Sequence, residues 1–129
     1  MDAFDKNIDV SKMYSGVSEK QVLGCILKNP SLMQEALSYI TASKVFYMDD
    51  HQKIWGAMYY LNESNKDIDL ATVSNFLGEK GFKLTYYVSG LVNDVVTEAN
   101  FKTHCKTIYD LFVRRQLWKR VVGFKDRIE

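Results

Sequence analysis

Apolar residues recur at helical spacing through most of the chain, and polar or turn-forming residues punctuate them. Ser18-Glu19-Lys20-Gln21 has the form of a capping box, with a hydroxyl at the cap and an amide three residues on. Val22, Leu23, Ile26 and Leu27 then mark the apolar face of a first helix. Asn29-Pro30 closes it and opens a second, with Pro30 at the first helical position and Leu32, Met33, Ala36, Leu37 and Ile40 continuing the stripe. Two helices joined this tightly are expected to pack as a hairpin. Thr41 to Asp50 reads as a loop carrying Phe46 and Tyr47. Asp49 or Asp50 is expected to cap a third helix with Ile54, Trp55, Met58 and Leu61 toward the core. After a polar turn, Asn62 to Asp67, Asp69 caps a fourth helix with Leu70, Val73 and Leu77 on one face, and Gly81 stands where a left-handed terminal residue belongs. Thr85 to Val96 is rich in β-branched and aromatic residues and resembles a strand, but Leu91, Val92 and Val95 keep helical spacing and no partner strand is visible. A fifth helix is therefore expected there.

The last segment, from Asn100 on, differs. Cys105, Ile108, Tyr109, Leu111, Phe112, Val113, Leu117, Trp118, Val121 and Val122 are apolar on more than one face. That is too much for one helix lying on a small globule: either a turn breaks the segment or part of its surface meets another chain. Charge changes here too. Residues 101–129 carry 8 basic and 3 acidic side chains, against 9 and 13 in residues 1–100. The segment stops at Arg127-Ile128-Glu129 with no capping signal, as though cut inside a helix or a linker. At the other end, residues 1–17 show no sustained period and are expected to form a partly disordered extension.

With 129 residues there is room for one ordinary domain, and 47% hydrophobic against 26% charged residues is ordinary globular composition. A net charge of +1 argues against a strongly basic nucleic-acid binder. No apolar run reaches the roughly 18–20 residues of a membrane span. No signal-peptide core stands near Met1, and two cysteines make no disulfide framework, so a reducing cytoplasm is the expected setting.

Chemistry-bearing motifs are sparse. GxxxxGK[ST] and GxGxxG are both missing. Cys25, His51, His104 and Cys105 match no zinc spacing, and Cys25 beside Gly24 reads as a small core residue. Asp49-Asp50-His51 has the look of an acid/base cluster, yet carboxylates on a first helical turn are sufficiently explained by the helix dipole. No metal, cofactor or catalytic site is expected. Arg114, Arg115, Lys119 and Arg120, with Phe112 and Trp118 interleaved, are candidate partner or nucleic-acid contacts, since arginines neutralise phosphates and aromatics stack on bases. A solvated helix face beside an apolar contact face explains them better, because the whole-chain charge is near zero.

One arrangement goes further. Glu19-x-x-Val22-Leu23-Gly24 precedes Asn29-Pro30, and Phe46-Tyr47 precedes His51-x-x-Ile54-Trp55-x-Ala57-Met58. Ile68-Asp69-Leu70-x-Thr72-Val73 then leads to Leu77, followed by Ala99-Asn100 and Arg114-Arg115-x-Leu117. In this order and spacing, residues 18 to about 120 resemble the N-terminal domain of DnaB-type replicative DNA helicases. Each motif alone is weak, and five in register are specific. Lys83-Leu84-Thr85 stand where such domains often carry Gly-Gly, and His104 where they often carry Tyr, which marks a divergent member.

The resemblance implies an all-α fold, with a compact helical subdomain over 18–98 and a helical hairpin over 99–129 that ends before a linker and motor domain. It also implies that hairpins pair two subunits and that dimers build a collar, which docks primase and a helicase loader. ATP and Mg would serve only the missing motor, contact with DNA would be weak or indirect, and no membrane is involved. The expected pairing residues are Ile108, Tyr109, Phe112, Val113, Leu117, Val121 and Val122. The expected core residues are Val22, Leu23, Gly24, Phe46, Tyr47, Ile54, Trp55, Met58, Leu70, Val73 and Leu77. Competing readings are the helicase-binding domain of a primase, a free-standing nucleic-acid-binding protein and a free-standing helicase regulator.

Overall fold

The computed structural model describes residues 12–128, all of whose regular elements are helical: α1 (Gly16–Lys28), α2 (Met33–Ala36), α3 (Asp49–Glu63), α4 (Leu70–Glu79), α5 (Thr85–Asn93) and α6 (Phe101–Ile128). Single turns of 3-10 helix, Pro30–Leu32 and Ser43–Val45, precede α2 and α3. The expected all-α class is observed. The extension expected over residues 1–17 lies outside the described residues up to residue 11, and over 12–17 it is ordered, with Ser15 capping α1 and Gly16 and Val17 inside it.

Helix α1 is the centre of the globule. Val22, Leu23, Cys25 and Ile26 are at most 1% exposed, so it is apolar on nearly every side, as a helix surrounded by others must be. It packs against α5 and α6 along its length and against α3 on another face. Its start lies three residues earlier than the capping-box reading placed it. Ser15 is the cap, its side chain accepting from the Ser18 amide at 3.1 Å. Ser18 lies inside the helix, its hydroxyl 2.9 Å from His104 Nδ1 on α6. Gly24 lets α5 approach closely: a Cβ there would collide with the Leu91 carbonyl oxygen and a Val95 methyl.

The second helix is shorter than its stripe suggests. After Ala36 the chain leaves helical geometry through Ser38, Ile40 and Thr41, residues of modest helix propensity, and Ile40 turns fully into the core. The first-to-second hairpin is therefore a tight corner of a few turns. Helix α3 takes Met48 as its cap, with no side-chain bond, so Asp49 and Asp50 occupy the first turn itself. It ends through Asn65 at φ 55°, with the Lys66 amide reaching back to Leu61 O. Asp69 and Thr72 form the reciprocal box that opens α4, and Gly81, at φ 88°, closes it, with the Phe82 amide donating to Leu77 O. The segment from Thr85 is a helix and stops at Asn93, before Val96.

The largest difference lies at the end. Residues 101–128 form one uninterrupted helix with no hairpin turn among the described residues. No proline interrupts it. Gly123, its only glycine, sits in open space and is tolerated in a helix at about 1 kcal/mol. At 1.5 Å per residue its 28 residues extend about 42 Å, longer than so small a globule can cover.

Candidate functional site

Of the acid/base candidates Asp49, Asp50 and His51, only His51 belongs to a bonded network, and it is an internal clamp. His51 is fully buried on the first turn of α3. Its Nδ1 lies 2.7 Å from Glu19 Oε1 on α1, and its Nε2 lies 2.5 Å from the Tyr87 hydroxyl on α5. Glu19, 1% exposed, accepts in addition from the Tyr47 amide at 2.8 Å and the Met48 amide at 3.3 Å. One assignment satisfies every group: Nδ1–H donates to Glu19, and the Tyr87 hydroxyl donates to Nε2. Burial, with the charges of Asp50 and Glu19, raises the Tyr87 pKa and so keeps the phenol protonated. The carboxylate thus serves the Tyr47 and Met48 amides just ahead of α3. Solvent does not reach His51, and the network joins α1, α3 and α5. Asp49 is outside it, paired at the surface with Lys53 at 2.8 Å.

The thiols are equally internal. Burial raises the pKa of Cys25 and pushes that of Cys105 up to about 12. Both are free, and among the described residues no cluster of His, Cys, Asp and Glu suited to a metal exists. Nor is any described helix long and apolar enough to cross a membrane.

What remains is the surface of α6. Phe101, Cys105 and Ile108 are buried, and Phe112 packs half-buried against the same core. Ile108 is therefore held by its own globule, and its place among the expected pairing residues is corrected. Phe112 is largely engaged in the same way. Tyr109, Leu117 and Val122 are 41%, 56% and 39% exposed, and Val113 and Val121 are half-exposed. Tyr109, Val113, Leu117 and Val121 recur every four residues, so they form one slowly turning apolar row on the side away from the core. Arg114, Lys119 and Arg120 are exposed beside it. This is an apolar strip with a basic border, running along a helix that outreaches its globule.

Arg115 does not belong with those basic residues. It is 3% exposed, and its Nη1 and Nη2 donate to the carbonyls of Met13 at 2.7 Å and Val45 at 3.1 Å. Burial lowers its pKa. The expected surface contact is an internal one, and the sequence held a signal for it. Phe101, Cys105, Ile108, Phe112 and Arg115 are spaced four, three, four and three apart, which puts the arginine on the core stripe. Glu19 is legible in the same way, three residues ahead of Val22 and four ahead of Leu23. Of the expected core, Val22, Leu23, Gly24, Phe46, Ile54, Trp55, Met58, Val73 and Leu77 are buried, whereas Tyr47 and Leu70 are partly exposed at its edge.

Comparison with known proteins gives a consistent picture. The family model described as the DnaB-like helicase N terminal domain matches residues 11–110. The chain is 34% identical over 103 residues to the replicative DNA helicase DnaB of Rhodothermus marinus, covering 77% of this chain and 11% of that protein. It is 31% identical over 104 residues to the replicative DNA helicase DnaC of Bacillus subtilis, covering 78% of this chain and 23% of that one. It thus spans less than a quarter of the length of either relative. The crystal structure of the N-terminal domain of DnaB helicase from Mycobacterium tuberculosis shares the fold, with a TM-score of 0.80 over 88% of this chain and 86% of that one at 24% identity.

Proposed function

Because the chain belongs to the DnaB-like helicase N-terminal domain family, we propose that it is the oligomerisation and partner-docking collar of a replicative DNA helicase. In this reading two copies pair through α6, dimers assemble into the collar of a hexameric ring, and that collar receives primase or a helicase loader. ATP hydrolysis, Mg binding and translocation on DNA belong to a motor outside these 129 residues, and the domain touches DNA weakly or indirectly. The observation that carries the reading is the uncovered apolar row of α6. Tyr109 and Leu117 face away from a core that is already complete without them, and Val122, seven residues past Arg115, is exposed where the helix has outrun the globule. An apolar strip with a charged border is the usual anatomy of a protein–protein contact.

The test is sedimentation equilibrium of the chain and of a Leu117→Asp, Val122→Asp variant. The native chain is expected to self-associate, and the variant to be a monomer with unchanged helical content, since both positions are exposed in the single chain and aspartate is costly only in a dry interface. A native chain that stays monomeric at every concentration, or a variant that associates equally well, would overturn the reading.

A further inference from the structure

We propose that Arg115 is a positioning residue: by tying the middle of α6 to the N-terminal segment and to the loop ahead of α3, it fixes the direction in which the helix leaves the globule. Its effect on pairing rests on the function proposed above, whereas the direction of α6 does not.

The core stripe of α6 ends at Phe112, and farther along only Arg115 is buried among the residues whose side chains are described. Arg115 is thus the last fixed point before the helix projects. Its two carbonyl acceptors lie in separate segments, 102 and 70 residues away in sequence. The guanidinium is 5.3 Å from the Tyr47 ring centre and 5.8 Å from that of Phe112. Tyr14, next to Met13, stacks on Tyr47 at 4.5 Å. Residues 13–14, the turn at 45–47 and the helix therefore close around one side chain.

An apolar residue would fill this seat at lower desolvation cost, and among the described residues no carboxylate forms a direct ion pair with the charge, although Glu19 favours it from farther off. What the arginine supplies instead is a rigid planar fork, whose donors meet acceptors in two directions at once. A lever about 15 Å long hangs on that point, taking ten residues from Arg115 at 1.5 Å each. A small rotation there becomes a displacement of several ångströms at the far end, where an apolar row must meet its counterpart.

The experiment places spin labels at Glu79→Cys, at the exposed end of α4, and at Gly123→Cys, where an added side chain meets open space. Both native thiols are buried. Labelled chain is diluted with unlabelled chain so that double electron–electron resonance reads distances within one molecule. Arg115→Met is expected to broaden and shift the distance distribution, and to weaken self-association about tenfold, equivalent to about 1.4 kcal/mol. Arg115→Lys keeps the charge but cannot span both carbonyls, so it should broaden the distribution too. Tyr14→Ala, which loosens the N-terminal side of the seat, should do the same in a folded chain.

Rescue by lysine would show that charge alone matters and would overturn the proposal, as would an Arg115→Met distribution that overlays the native one. If Arg115→Met does not fold, the lysine and Tyr14 variants decide. Should the native chain prove monomeric, the pairing reading falls while the distance measurement still judges Arg115.

Discussion

Glu19→Gln removes a charge and almost nothing else, so its cost can be worked from the geometry. The carboxylate accepts three bonds: His51 Nδ1 at 2.7 Å, the Tyr47 amide at 2.8 Å and the Met48 amide at 3.3 Å. In the least costly glutamine arrangement the carbonyl keeps the Tyr47 amide. The new NH2 then donates to His51, which changes tautomer so that Nε2–H donates to the Tyr87 oxygen. Two bonds survive without charge assistance, each weaker by about 1 kcal/mol, and the Met48 amide faces another donor at a cost of about 1–2 kcal/mol. The expected loss is roughly 3–4 kcal/mol, which for a domain of this size lowers the melting temperature by roughly 10–15 °C. Glu19→Ala also orphans His51 and the Tyr47 amide and should cost more. Thermal unfolding followed by circular dichroism, with urea titration as a second probe, measures both. A Glu19→Gln melting temperature within about 2 °C of native would refute the reasoning, since no buried carboxylate serving two amides and a histidine can be replaced so cheaply.

Other consequences follow from the packing and the thiols. Gly24→Ala should destabilise by roughly 1–2 kcal/mol in urea titration, because overpacking against the Leu91 carbonyl outweighs about 1 kcal/mol of gained helix propensity; a stabilised variant would mean that α5 can move away at no cost. Alkali should weaken the fold. The Cys105 thiol ionises near its ordinary 9.0 when unfolded and near about 12 when folded. The unfolded chain therefore loses its proton first, and the contribution is full below 9.0 and lost as pH rises toward about 12. Tyr87 and Cys25, also raised by burial, act in the same direction. Urea midpoints between about pH 8 and pH 11 should fall less steeply in Cys105→Ala than in the native chain, and parallel slopes would count against this assignment.

Periodicity and terminal signals, which are local, were enough to read the all-α class, the apolar face of α1, the Asp69 cap, the left-handed Gly81 and the buried face of α3. The β-branched stretch from Thr85 is helical, as its spacing suggested, because packing against α1 decides over propensity. Where the reading failed, the deciding partner was distant in sequence. Ser15 takes the cap because Ser18 is drawn inward to His104. Met48, and not Asp49 or Asp50, stands at the start of α3, in a segment whose amides at 47 and 48 are held by Glu19, about 30 residues earlier. A charged residue on an apolar stripe reads as surface until its acceptors are known, and those of Arg115 stand 70 and 102 residues away.

The surplus apolar surface of the last segment was visible from its sequence, but its division was not. Sequence counts apolar positions around a helix, and only the packed globule shows which of them its own core has claimed. Ile108 and Phe112 turn inward because α1 already offers them a dry surface. Tyr109 and Leu117 are left outside because they point away from the packed helices, and Val122 because α6 has by then run past them. Amino-acid pattern determined that this segment would be helical and apolar on more than one face, though it pointed to a hairpin where one continuous helix stands. Tertiary structure decided which face is free, since burial belongs to the spatial arrangement of all the helices together and to no single helix alone.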